Sequence, residues 1–205
     1  MKPEAERGRE LMLRLARGDM RAFEEIVVSY ERAVRNFAFR YLGDERKAED
    51  VAQETFLRVY TARSRWRPDA KFHTWLFTIA SRLCLNAIRS QRRERRVMRP
   101  AAVGGDGSDE LAGAPARRTA SPPDGVLAAE RAELLRRAVA ALSENQRRAL
   151  LLHRFEGLSY REVAEAMGLT LEAVRSLLVR ARRNLHDRLA PLLRADEPAA
   201  EGEEP

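Results

Sequence analysis

From Arg99 to Asp124 the chain reads "RPAAVGGDGSDELAGAPARRTASPPD", with almost no large apolar residues. A stretch of Gly, Ala, Pro, Ser and Asp cannot bury enough apolar surface to offset the entropy of ordering it, so 98–124 reads as a disordered linker. The consequence is strict: folding must happen on either side of it, in two small units. With 205 residues, 44% of them hydrophobic, each side is long enough for a compact core. The "GGDGSDE" inside the stretch lacks both the spacing and the closing Glu of a calcium loop.

Both flanks carry helical periodicity. Upstream, Asp19 caps a helix whose apolar residues Phe23, Ile26, Val27, Tyr30, Val34, Phe37 and Tyr41 recur at three- and four-residue steps. Gly43 ends it and Asp44 opens the next, "ERKAEDVAQETFLRVY". "SRWRPD" breaks the pattern at Pro68, and "FHTWLFTIASRLCLNAIRSQRRERR" forms a third helix. Three helices with short joints predict one bundle over 1–97, with Trp75 in its core.

Downstream, "GVLAAERAELLRRAVAAL" resumes the helical pattern. Ser143 with Gln146, and Ser159 with Glu162, have the spacing of capping boxes, and Gly157 and Gly168 close the helices they open. Thr170 caps a final helix over 171–189. A short helix joined through "GLT" to a longer one is the helix-turn-helix pattern, placed in a second unit over 125–194. The fold class is therefore all-α: two small helical domains joined by a linker, with a tail over 195–205.

Charge narrows the partners. Lys and Arg number 38 against 31 Asp and Glu, a net +7, yet the tail "ADEPAAEGEEP" holds five acids and no base, leaving +12 on the rest. Such a body is drawn to polyanions by counterion release. Cys84 stands alone in an apolar helical stretch and reads as a buried, inert thiol in a reducing compartment. One Cys and three His offer no zinc spacing. The N-terminus has no signal-peptide core, and "TWLFTIASRLCLNAI" is interrupted by Arg82 and too short for a bilayer. A cytoplasmic protein without membrane insertion, cofactor or metal is expected. His73, His153 and His186 lie beside no nucleophile, and no Walker loop or "HExxH" occurs, so no catalytic residue is assigned.

The final helix carries the clearest chemistry. At about 100° per residue, Val174, Leu178, Ala181 and Leu185 form a stripe that packs inward, with Glu172, Ser176, Arg180 and Arg183 opposite and Arg175 and Arg182 on a flank. Arginine pairs bidentately with guanine and Glu172 is placed to accept from cytosine, while Arg182 and Arg183 suit phosphates. In the first unit, Asn86 precedes the cationic run of Arg89, Arg92, Arg93, Arg95 and Arg96. Aromatics followed by such a run suit single-stranded nucleic acid, though Trp and Phe at helical spacing are usually core residues. Trp66 lies in the loop, where a solvent-facing ring is less easily explained by packing. Asp50, Gln53 and Glu54 share one helix face, either simply solvated or docked on a cationic protein surface.

Taken together, these segments resemble the extracytoplasmic-function (ECF) group of bacterial RNA polymerase sigma factors. "EDVAQETFLRVY" resembles the polymerase-docking segment of sigma region 2, and "FHTWLFTIASRLCLNAIRSQRR" the helix that binds the −10 promoter element. "LSENQRRALLLHRFEGLSYREVAEAMGLTLEAVRSLLVRAR" resembles sigma region 4. The resemblance implies a promoter-specificity subunit of core RNA polymerase, with the β′ clamp helices and β flap, promoter DNA and an anti-sigma factor as partners. It places Asp50, Gln53 and Glu54 on the β′ clamp helices. The −10 strand falls to Trp66, Arg82, Asn86, Arg89, Arg92 and Arg93, with a flipped base held by the loop 63–70. Thr170, Glu172, Arg175, Ser176, Arg180 and Arg183 fall to the −35 element. The chain departs from the family at Leu177, where members often carry a basic residue. The alternative is a stand-alone helix-turn-helix regulator that binds duplex DNA without polymerase.

The resemblance also gives the linker a task. The two promoter elements lie about two duplex turns, or roughly 70 Å, apart. A flexible chain of about 27 residues has a root-mean-square span of about 30 Å and a limit of about 90 Å. It reaches the distance without holding it, so the polymerase must set the spacing.

Overall fold

The computed structural model describes residues 3–68, 71–98 and 123–195. The linker expected over 98–124 falls almost entirely on 99–122, outside the described residues, as do 196–205 of the expected tail. Among the described residues the chain forms eight helices: α1 Pro3–Ala16, α2 Met20–Leu42, α3 Glu45–Thr61, α4 Phe72–Met98, α5 Pro123–Ala140, α6 Glu144–Arg154, α7 Tyr160–Met167 and α8 Leu171–Ala195.

Local signals set most boundaries. The Asp19 carboxylate accepts from the backbone N–H groups of Arg21 (3.0 Å) and Ala22 (3.4 Å), which opens α2. Gly43 ends that helix at φ +68°, a left-handed turn that a side chain would strain. Both capping boxes form, Ser143 with Gln146 at α6 and Ser159 with Glu162 at α7. The Thr170 hydroxyl accepts from Ala173 N–H at 3.2 Å and opens α8.

The first unit has one helix more than its sequence suggested. Helix α1 buries Leu11, Met12 and Leu15 against the bundle. These few apolar residues are scattered among charges, so the periodic signal is short. The bundle is held by aromatic contacts: Phe37 meets Phe77 edge-on with centroids 5.4 Å apart, and Tyr30 meets Phe72 at 5.3 Å. Trp75 is half-buried and packs on this core. Helix α1 sits so close that a Cβ at Gly8 would lie 2.8 Å from Phe72 Cδ1 and 2.9 Å from the Tyr30 hydroxyl. Alanine favours a helix by about 1 kcal/mol over glycine. Overpacking costs about 1–3 kcal/mol, and Phe72 is fully buried with nowhere to move. Gly8→Ala is therefore expected to lower the melting temperature, and a raised value would show that α1 is loosely docked.

In the second unit α6, α7 and α8 enclose Leu151, Leu152, Val163, Ala166, Val174, Leu178 and Ala181, all buried. The inward stripe read for the last helix is thus the packed one, with Leu185 half-buried at its end. The two units also pack on each other: α4 lies against α6 and α7, and α2 against α5 and α6.

Candidate nucleic-acid and polymerase interface

Helix α8 projects Glu172, Arg175, Arg180 and Arg183 into solvent. Thr170 is exposed at the helix start, and Ser176 and Leu177 are half-buried where α8 meets its neighbours. The Arg182 guanidinium donates to the Tyr160 hydroxyl at 2.8 Å and so braces α8 against α7. The N-terminal turns of α8 thereby present one carboxylate and one guanidinium on a rigid support, as a helix entering a major groove requires.

Helix α4 carries a second cationic face. Arg82, Asn86, Arg89 and Arg93 are exposed at four-, three- and four-residue steps, so they form one stripe along the helix. Arg89, Arg92, Arg93, Arg96 and Val97 line a shallow groove at its end. Arg92 and Arg89 also face the Glu144 carboxylate of α6, at 2.5 Å and 3.5 Å.

On α3, Asp50 and Gln53 are exposed, and Glu54 is half-buried and bonded to Arg58 at 2.7 Å. Leu57, one turn beyond Gln53, extends this face and is 58% exposed. Sequence reasoning passed over it, although an apolar residue at that spacing on a polar stripe was the available signal.

Trp66 departs from expectation. Its ring is turned into the core, 8% exposed, and its Nε1 has no hydrogen-bond partner. The physical reason is local: Trp66 N–H donates to Ala62 O at 3.1 Å, folding the chain back over the end of α3. Of the loop 63–70, residues 69 and 70 lie outside the described residues.

Sequence reasoning also missed a pair of buried arginines. Arg147, 3% exposed, donates from Nε to Val139 O (3.1 Å), from Nη1 to Tyr41 O (3.0 Å) and from Nη2 to Ala140 O. Arg148, 6% exposed, donates to Ser81 Oγ (3.1 Å) and Ala166 O (2.8 Å). Val139, Ala140, Tyr41 and Ala166 all lie in last helical turns, of α5, α2 and α7, where carbonyls lack intrahelical partners and the helix dipole favours a cation. That is how two charges are tolerated here. Burial still pulls both guanidinium pKa values down, and it pushes the Tyr41 phenol up to about 12 and the Cys84 thiol further still.

Three further contacts join the units. Burial pushes the Glu156 carboxyl up to about 7 although Arg40 opposes it, and the backbone carbonyl of Glu156 lies 2.9 Å from His73 Nε2. Arg40 lies over the Phe155 ring, 4.5 Å from its centroid. Glu162 receives Lys71 Nζ at 2.9 Å and the Thr74 hydroxyl at 3.2 Å. Burial alone would raise the Glu162 pKa, but hydrogen bonds from Ser159 and Lys71 win and hold it at about 2. No helix among the described residues is long and apolar enough to cross a membrane.

A helical bundle with an exposed cationic helix, beside a helix-turn-helix whose last helix is exposed and basic, is the architecture of a nucleic-acid-binding protein. The Sigma-70 region 2 family matches residues 26–94, and Sigma-70 region 4 matches 132–185. The RNA polymerase sigma-H factor of Pseudomonas aeruginosa is 33% identical over 192 residues, covering 92% of this chain and 97% of that one. The ECF RNA polymerase sigma-E factor of Escherichia coli K12 is 32% identical over 186 residues, covering 90% and 95%. The sigma factor RpoE of Bartonella quintana, solved in complex with the anti-sigma factor NepR, shares the fold at a TM-score of 0.62 and 24% identity, over 82% of this chain and 96% of that one. The chain belongs to the ECF group of sigma-70 RNA polymerase sigma factors, non-enzymatic subunits that direct promoter recognition.

Proposed function

We propose that this sigma factor divides its work among three faces. The α3 face of Asp50, Gln53 and Glu54, extended by Leu57, grips the β′ clamp helices of core polymerase, and the second unit meets the β flap. Arg82, Asn86, Arg89, Arg92 and Arg93 of α4 hold the melted −10 strand, with Trp66 supporting the adjacent loop from beneath. Thr170, Glu172, Arg175, Ser176, Arg180 and Arg183 hold the −35 duplex. The units span 1–97 and 125–194, joined by a linker over 98–124 and followed by the acidic tail over 195–205. The protein works in the cytoplasm and is restrained by an anti-sigma factor, a reading supported by the Bartonella neighbour's partner.

The observation that carries this reading is the coexistence, on one chain, of an exposed acidic face and two exposed cationic helices of different chemistry. Transcription in vitro with purified core polymerase tests it: promoter-dependent RNA from genomic templates is expected, and none from any template rejects it. Within that assay, Arg175→Ala is expected to remove about 1–3 kcal/mol of discrimination at one −35 base pair. A series of −35 point mutants that responds alike with and without Arg175 would reject that assignment.

A further inference from the structure

We propose that Tyr160 is a positioning residue for DNA: it holds Arg182 ready for a phosphate on the wall of the major groove that α8 enters. The inference deepens the −35 reading of α8 and rests on it.

The arrangement is built from three helices. On α6, His153 Nδ1 lies 2.8 Å from Leu158 O. A carbonyl only accepts, so Nδ1 carries the proton and the ring is held in place. That ring meets Tyr160, the first residue of α7, edge-on with centroids 4.8 Å apart. Tyr160 is half-buried, and its hydroxyl accepts from Arg182 Nη2 of α8 at 2.8 Å. Each contact passes a fixed position to the next, from a half-buried histidine to an exposed guanidinium.

The chemistry of the holder points to a ligand. Arg35, Arg58 and Arg137 are each held by a carboxylate one turn away, so a neighbouring acid offsets their charge. Arg182 is held by a neutral oxygen, and among the described residues it meets no carboxylate. Its orientation is fixed while its full charge faces solvent, which an anion site needs and a structural brace does not.

Placement says which anion. Arg182 lies seven residues beyond Arg175, so it falls two turns along on the same flank of α8. At a rise of about 1.5 Å per residue the two are about 10 Å apart along the axis, and the major groove is about 12 Å wide. With Arg175 at the base edges, Arg182 reaches the sugar-phosphate backbone. A phosphodiester carries no base identity, so the pair fixes the register of α8 and leaves the choice of sequence to Glu172 and Arg175.

The experiment uses holoenzyme, the full chain with core polymerase, on a promoter duplex recovered from the transcription assay and titrated with potassium chloride. Arg182→Gln is expected to weaken binding about eightfold at about 0.1 M salt and to lower the slope of log affinity against log salt by about 0.9, the counterion release of one phosphate. Tyr160→Phe keeps the ring on His153 and removes only the acceptor. It is expected to weaken binding at least about twofold, equally for every −35 point mutant. In the Arg182→Gln chain it should add nothing, because Tyr160 acts through Arg182. An unchanged slope with Arg182→Gln, an unchanged affinity with Tyr160→Phe, or a Tyr160→Phe loss that persists in full beside Arg182→Gln overturns the inference. So does a Tyr160→Phe loss confined to some −35 base pairs, which would mean a displaced reading helix. If Tyr160→Phe lowers the melting temperature, the double substitution still decides by the same rule. A parent holoenzyme that forms no promoter complex rejects the sigma-factor reading itself, whereas a parent complex that neither substitution alters overturns this inference alone.

Discussion

Asp50→Lys is expected to raise the dissociation constant for core polymerase at least about thirtyfold, from a loss of about 2–5 kcal/mol. The residue is exposed on α3 beside Gln53 and Glu54, so the substitution disturbs no packing. Lysine is also the better helix former, and the melting temperature should hold. What changes is the sign of charge presented to a cationic partner: an attraction becomes a repulsion at contact distance, and the steering that speeds encounter is lost as well. A binding titration at fixed ionic strength checks it, because exposed charges are screened by salt. Unchanged affinity would mean that the stripe is only solvated.

Leu178→Ala is expected to destabilise the helix-turn-helix by about 2–5 kcal/mol. Leu178 is 1% exposed and sits on α8 between Val174 and Ala181, the residues that seat the reading helix on α6 and α7. A unit this small has little reserve, and such a loss should lower its melting temperature by at least about 8 °C. Transcription that depends on the −35 element should fall with it, while docking through α3 persists. Calorimetry on the full chain checks the first part. Val179→Ala, one position on and 63% exposed, is the contrast and should stay within about 0.5 kcal/mol. Equal effects of the two would mean that α8 is not seated as described.

What could be read from the sequence was what is local. Asp19, Gly43, Ser143, Ser159 and Thr170 each act on backbone groups a few residues away, so their spacing carries the information and the helix bounds follow. The inward stripe of α8 is likewise a matter of period. Helix α1 escaped because Leu11, Met12 and Leu15 are too few to make a period visible. Trp66 escaped because a tryptophan in a loop gives no sign of which way the chain folds back. Arg147 and Arg148 escaped for the deepest reason. In one dimension they are two more charges in a basic protein, and their partners Tyr41 and Ser81 lie in the other unit. The acidic stripe of α3 and both cationic helices were legible as charge patterns, yet only the fold shows which of their charges already have neighbours.

Glu162 does two jobs with different chemical tolerances. Its carboxylate closes the capping box by accepting from the Ser159 backbone and hydroxyl, and it receives Lys71 and Thr74 from across the interface. A capping box accepts an amide in that place almost as well as an acid, whereas an ion pair does not. Exchanging a single oxygen for a nitrogen there would leave the helix intact and loosen only its grip on the neighbouring unit.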